Sequence, residues 1–178
     1  MSGIFGIFQR DAEPIETKSL QIMQTKMAHW GPDGSFVMLN GTAGLGQSRM
    51  ISTPEGQYEQ LPKWDDVHLL AFTAAARLDN RDELLSQLII DRLVSRVPDS
   101  EIIFLAYLKW GADCVRRIYG DWSFAVWDPQ ERKLFLARDH FGNTSLFYCL
   151  TEKVFAFASD SASLLSLGLP PKEMDELY

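Results

Sequence analysis

Apolar residues along this chain follow two rhythms: short β-type runs near both ends and helical spacing between them. Residues 2–8 are apolar and glycine-spaced, and read as a buried strand. Residues 14–27 carry Ile15, Leu20, Ile22, Met23 and Met27 at helical spacing, which predicts an amphipathic helix. Residues 29–34 form a turn cluster, because Gly-Pro and Asp-Gly both interrupt regular structure. Residues 36–39 and 43–48 read as short strands around Asn40-Gly41, a hairpin-turn pair. The polar stretch 53–63 reads as a loop, and 67–73 as a strand.

Residues 80–93 predict a helix, with Asn80 as its cap and Glu83 as capping-box partner. A second helix spans 99–110, entered after Pro98 and ended by Gly111. Four strands follow, at 122–127, 133–137, 145–150 and 154–158, the first two joined by a turn over 128–132. Residues 159–167 predict a short helix that Pro170-Pro171 would stop. Strands open and close the chain while helices group between them. That order does not suit repeated βαβ units; it suits an α+β layered domain with antiparallel sheets.

Composition narrows the picture. The 178 residues make about one domain, and 46% hydrophobic with 23% charged residues suits a soluble globular fold. A net charge of −7, with no run of Lys and Arg, argues against nucleic acid as a partner. No stretch reaches the roughly 20 apolar residues of a membrane span. The start lacks a basic segment followed by an apolar one, so no signal peptide is expected. Cys114 and Cys149 lie far apart and in no metal spacing. They read as reduced, structural residues of a cytoplasmic protein, a single long-range disulfide being the alternative. His29, His68 and His140 show no metal-ligand spacing, and no metal is expected. His29 reads as a turn or core residue, and Arg138-Asp139 as a structural pair. No phosphate-binding glycine loop is present.

Four blocks, in order, carry a family resemblance: MSGIFGI from Met1, MAHWGPDG from Met27, LGQSRMIS from Leu45, and YGDWSFAVWD from Tyr119, continuing to LARDHFG at Gly142. Together they resemble the N-terminal type 2 glutamine amidotransferase domain of the asparagine synthetase family. The resemblance implies a four-layer αββα fold of the N-terminal-nucleophile type, two antiparallel sheets between helical layers. It also implies a nucleophile after the initiator methionine, whose free α-amine helps a cysteine thiol attack the glutamine amide. Here that position is Ser2, a poorer nucleophile at neutral pH than a thiol with thiolate character. Serine serves in other N-terminal-nucleophile hydrolases, so Ser2 by itself does not decide the matter.

Further departures follow from aligning on Asn80, Glu83 and Leu84. The family's Asn-Gly-Glu, which supplies an oxyanion hole and a partner for the substrate ammonium, falls on Ala75, Ala76 and Arg77. An alanine in place of the oxyanion asparagine removes a donor worth about 2.7–4 kcal/mol of transition-state stabilisation. Arg77 would repel the ammonium. Two substrate-holding positions remain: Arg49 matches the arginine that grips the glutamine carboxylate, and Asp99 the aspartate that binds its amine. The bland readings are a structural or solvated Arg49 and an Asp99 that caps a helix. One expectation joins them: Arg77 pairs with Asp99 and fills the vacated pocket. Trp30 stands where the family has arginine, and reads as a packing residue or, if exposed, an interface marker.

Within the family, the pattern is similar to a branch that lacks the nucleophile, as in β-lactam synthetase and lasso-peptide cyclases. Residues 1–168 would then be the domain and 169–178 a linker toward an ATP-dependent synthetase domain, in cis or in trans. ATP and magnesium would belong to that second domain, with no cofactor in this chain. The remaining alternatives are a working amidohydrolase using Ser2, and a free-standing binding or regulatory module. A glutamine-like small molecule is the conceivable ligand of the old pocket.

Overall fold

The computed structural model describes residues 1–88 and 96–169. Strands β1 (Gly3–Gln9), β2 (Ser35–Asn40), β3 (Ala43–Ser48), β8 (Phe147–Leu150) and β9 (Val154–Ala158) form one sheet, in the order β2-β3-β1-β9-β8. Strands β4 (Lys63–Asp65), β5 (Leu70–Leu78), β6 (Gly120–Asp128) and β7 (Lys133–Arg138) form the other, in chain order. All pairings are antiparallel.

Alternation along the strands sorts side chains into three apolar layers. In β1, Phe5 and Ile7 face helices α1 (Thr17–Lys26) and α4 (Ser161–Leu165), together with Leu20, Met23 and Leu164. Ile4 and Phe8 face the second sheet and meet Ala71, Ala75, Ala125 and Trp127. In β5 and β6, Phe72, Trp122 and Phe124 face helices α2 (Arg81–Leu88) and α3 (Asp99–Trp110), packing on Leu84, Ile103 and Phe104. The result is helices, sheet, sheet, helices, as the α+β four-layer expectation required. Close packing demands small residues at points. The Phe5 ring lies over its cross-strand partner Gly46, where an added Cβ would sit 2.1 Å from the ring.

Several boundaries differ from the sequence reading. The strand placed at 67–73 runs from Leu70 to Leu78. Leu69 turns the chain at φ 56, and cross-strand pairing with β6 carries the weak β-formers Ala74, Ala75 and Ala76. The stretch read as a loop at 53–63 contains a 3₁₀ turn, Pro54–Tyr58, whose Gly56 N–H is accepted by Thr53. The helix read at 80–93 is described as far as Leu88; the remainder lies outside the described residues. Asn80 stands at the start of α2: its carbonyl accepts from Leu84 N–H at 3.1 Å and its side chain meets the Glu83 carboxylate at 3.4 Å. Its side chain donates to the Arg117 carbonyl at 2.8 Å and accepts from Tyr119 N at 3.0 Å, which ties α2 to the approach to β6. Leu169 packs against the α1 layer, while the rest of the segment read as a linker, with Pro170-Pro171, lies outside the described residues.

Asp139 also departs from expectation. Its carboxylate accepts from the N–H groups of Phe141, Asn143 and Thr144 and from the Thr144 hydroxyl, at 2.8–3.1 Å, rather than from Arg138. Buried loop donors within reach outcompete an exposed guanidinium on the same strand end. This loop delays the start of β8 to Phe147.

Candidate active site

Pairing of Gly3 with Ser48 fixes where the chain start lies. It sets Ser2 beside Met50, and the two are joined twice. The Ser2 hydroxyl donates to the Met50 carbonyl at 3.2 Å and accepts from the Met50 N–H at 3.0 Å. No side-chain base among the described residues bonds to it. With Met1 attached, the Ser2 nitrogen is a peptide amide, and the terminal ammonium lies 2.9 Å from Met50 Sδ. Ser2, Met50, Thr53, Glu59, Ala76 and Asp99 surround a cleft of about 10 Å³, room for about one water molecule.

The structure therefore brings Ser2, Ala76 and Asp99 together. Ala75 and Arg77 do not line the cleft: Ala75 is buried between the sheets, and Arg77 turns away from it. The β5–β6 register places Arg77 opposite Asp121. The guanidinium donates to Asp121 from Nε at 3.2 Å and from Nη2 at 2.8 Å, and also bonds Asp79. The hydrogen bond to Asp121, then that to Asp79, raises the Arg77 pKa further; the Arg77 and Asn143 bonds hold Asp121 below the usual carboxylate range. The expected Arg77–Asp99 pair is thus replaced, because side chains at successive strand positions point to opposite faces.

Asp99 has another partner. It is the first residue of α3 rather than its cap, which is Pro98. One carboxylate oxygen accepts from the Leu78 N–H at 2.9 Å, and the other meets Arg81 Nη1 at 2.5 Å. The pair is nearly buried, with side chains 16% and 8% exposed. Arg49 lies one step outside the Ser2 cleft. It lines a neighbouring cleft of about 320 Å³, donates to the carbonyls of Asp33 and Glu59 at 3.2 Å, and lies over the Phe36 ring.

Glu59 links the two clefts, and the sequence reading passed over it within a polar stretch. Gln47 Nε2 donates to its carboxylate at 2.6 Å and to the Ala74 carbonyl at 2.8 Å. Burial pushes the Glu59 pKa up, and hydrogen bonds from Ser100 and Gln47 and the charge of Arg49 only partly offset this. Arg81 was also missed, since its role depends on the start of α2 meeting the start of α3. Trp30 is a packing residue, with its indole 3.4 Å from Asp160; His29 pairs with the same carboxylate. Cys114 and Cys149 are both free thiols. Among the described residues no cluster of His, Cys, Asp or Glu could hold a metal, and no helix is long and apolar enough to cross a membrane.

Two facing antiparallel sheets between helical layers, with the chain start in the cleft, define an N-terminal-nucleophile type fold. The amidotransferase for glutamine and phosphoribosylpyrophosphate from B. subtilis shares it, with a TM-score of 0.73 over 93% of this chain and 43% of that one, at 16% identity. The sequence matches the glutamine amidotransferase domain family over residues 1–177, and the chain belongs to that family. A putative glutamine-hydrolysing asparagine synthetase of Mycobacterium tuberculosis is 32% identical over 153 residues, 79% of this chain and 23% of that protein. Asparagine synthetase 3 of Bacillus subtilis is 27% identical over 93% of this chain and 28% of its own length. A fungal protein named amidase chry2, from Gibberella zeae, is 25% identical over 93% of this chain and 25% of its own length. The chain spans about a quarter of the length of these curated relatives. It is a glutamine amidotransferase domain related to asparagine synthetases.

Proposed function

We propose that this domain has lost glutamine hydrolysis and acts as the structural half of an asparagine synthetase-like, amide-forming enzyme, in the manner of the nucleophile-lacking branch. The observation that carries the reading is Asp99. The carboxylate matched to the substrate amine is occupied on both oxygens by Leu78 N–H and Arg81. Further support comes from the Ser2 hydroxyl held between the two backbone groups of Met50. Ala76, the β5 residue that does line the cleft, offers no side-chain donor to an oxyanion.

The structural role draws support from exposed apolar side chains beside the site. Phe36, Val37, Met50, Ile51 and Tyr58 are all exposed, a concentration that suits a covering partner. That partner, in this reading, is a synthetase domain in cis or in trans, which would hold ATP and magnesium itself. Loop opening with release of Asp99 would favour the alternative, an amidohydrolase using Ser2.

Incubation with millimolar glutamine tests the reading, with glutamate release followed and intact mass reporting Met1. No release above background is expected, even when Met1 is absent. Steady release that Ser2→Ala abolishes would overturn it.

A further inference from the structure

The far end of the sandwich holds a second cleft, about 20 Å from Ser2 along the extended β1 strand. It measures about 430 Å³ and lies where the two sheets part. Phe8, Trp127, Leu134, Leu136 and Phe155 form its apolar wall, and Arg10 and Arg132 stand on the same lining. This volume lies within the usual range for small-molecule sites.

Two features of the cleft point to its occupant. The first is charge. Arg10 donates from Nη1 to the carbonyls of Thr151 and Glu152, at 2.8 and 3.1 Å. Arg132 donates from Nη2 to the Arg10 backbone carbonyl at 3.0 Å, which anchors the Arg132 side chain beside the Arg10 backbone. Neither guanidinium forms an ion pair with a carboxylate among the described residues. The neighbouring Asp128 is turned toward the N–H groups of Gln130 and Glu131. Backbone carbonyls neutralise no charge, so two planar cations remain for an anion that matches their geometry.

The second feature is Trp127. Its side chain lines the cleft, the residue is only 5% exposed, and its indole Nε1 is buried with no hydrogen-bond partner. A buried indole N–H ordinarily finds an acceptor. An oxygen-bearing ligand seated against Trp127 could supply one after a small shift of the ring.

We propose that this cleft binds a small carboxylate with an apolar body, its carboxylate bridged by Arg10 and Arg132 and its chain lying on Phe8, Leu134, Leu136 and Phe155. The ligand is bound and not transformed: no nucleophile or base lines the cleft. The site is independent of the Ser2 cleft, so it stands whether or not glutamine is hydrolysed.

Titration calorimetry of the whole chain with decanoate, decanol and acetate tests the assignment, with amide chemical shifts locating the ligand. Decanoate is expected to bind and to shift residues of β1, β6, β7 and β9 at this end, with acetate and decanol each at least about tenfold weaker. The double variant Arg10→Gln, Arg132→Gln is expected to weaken decanoate on the order of tenfold or more, whereas Arg10→Lys, Arg132→Lys keeps part of the affinity. Both pairs replace exposed turn residues, and unchanged shifts elsewhere would confirm the fold. Equal binding of decanoate and decanol, binding unaffected by the glutamine pair, shifts confined to another surface, or no decanoate binding would each overturn the proposal.

Discussion

Ser2 and Met50 hold each other through a reciprocal pair of hydrogen bonds, with the serine hydroxyl as donor to one backbone group and acceptor from the other. A hydroxyl used in this way fastens the chain start to the segment following β3. It is not poised for attack, because both bonds would have to break first. The Ser2→Ala variant should therefore lose about 1 kcal/mol of stability, measured by urea unfolding, with no change in glutamate release. Ser2→Cys should stay inactive on glutamine, because neither the Arg81–Asp99 pair nor Ala76 is altered. Measurable turnover by Ser2→Cys alone would show that a thiol was the only missing part.

The Arg81–Asp99 pair gives a second test. Replacing Asp99 by Ala leaves the Leu78 N–H without its acceptor and takes one carboxylate from Arg81, which should cost about 2 kcal/mol in unfolding experiments. A substrate-binding aspartate makes the opposite prediction: little effect on stability and a change only in ligand affinity.

The layers of the fold were legible in sequence because β1, β6 and β9 are short apolar runs, buried on both faces, and helix α3 carries its own boundaries at Pro98 and Gly111. The site was less legible. Ser2, Arg49 and Asp99 stand out through the motifs around them, but their partners do not. Asp99 meets Arg81 because the starts of α2 and α3 cross, a tertiary relationship that no local pattern encodes. Strand alternation did hold a usable signal. It places Ala76 and Leu78 toward α3, and therefore Arg77 away from Asp99 and against Asp121. Glu59 offered none, since one acid in a polar stretch resembles any solvated residue.

Asp139 should stabilise the protein in a pH-dependent way. Burial opposes its ionisation, but the donors from Thr144, Asn143 and Gly142 outweigh burial and hold its carboxyl below the usual range. A lowered folded-state pKa contributes stability above the unfolded value of about 4, lost as pH falls through the folded value. Asp139→Asn should therefore be less stable than the parent at neutral pH, by about 2 kcal/mol. The gap should narrow below about pH 4. Thermal melts of both proteins across that range check the sign.

The two thiols should differ sharply in reactivity. Cys114 is fully buried, and burial pushes its thiol up to about 12, leaving almost no thiolate at neutral pH. Cys149 is only partly buried, on edge strand β8. A thiol-reactive disulfide reagent should modify Cys149 in the native protein and Cys114 only after denaturation, as mass spectrometry of digested samples would reveal. Rapid native labelling of Cys114 would mean that the core around α3 opens readily.

Glu59 carries the opposite pH signature to Asp139. Desolvation dominates its surroundings and raises its pKa, despite the bonds from Ser100 and Gln47 and the charge of Arg49. The folded state then holds a proton more tightly than the unfolded chain. That contribution is fully present below the ordinary carboxylate value and is lost as pH rises through the folded value. At neutral pH the ionised group is a net burden on folding. Glu59→Gln keeps an acceptor for Gln47 while removing the charge, so it should raise the melting temperature at pH 7. The difference from the parent should shrink as pH falls toward about 4, where the parent carboxyl is itself neutral. A variant less stable than the parent at pH 7 would mean that attraction to Arg49 outweighs burial, and that Glu59 serves as the fixed counter-charge of that arginine.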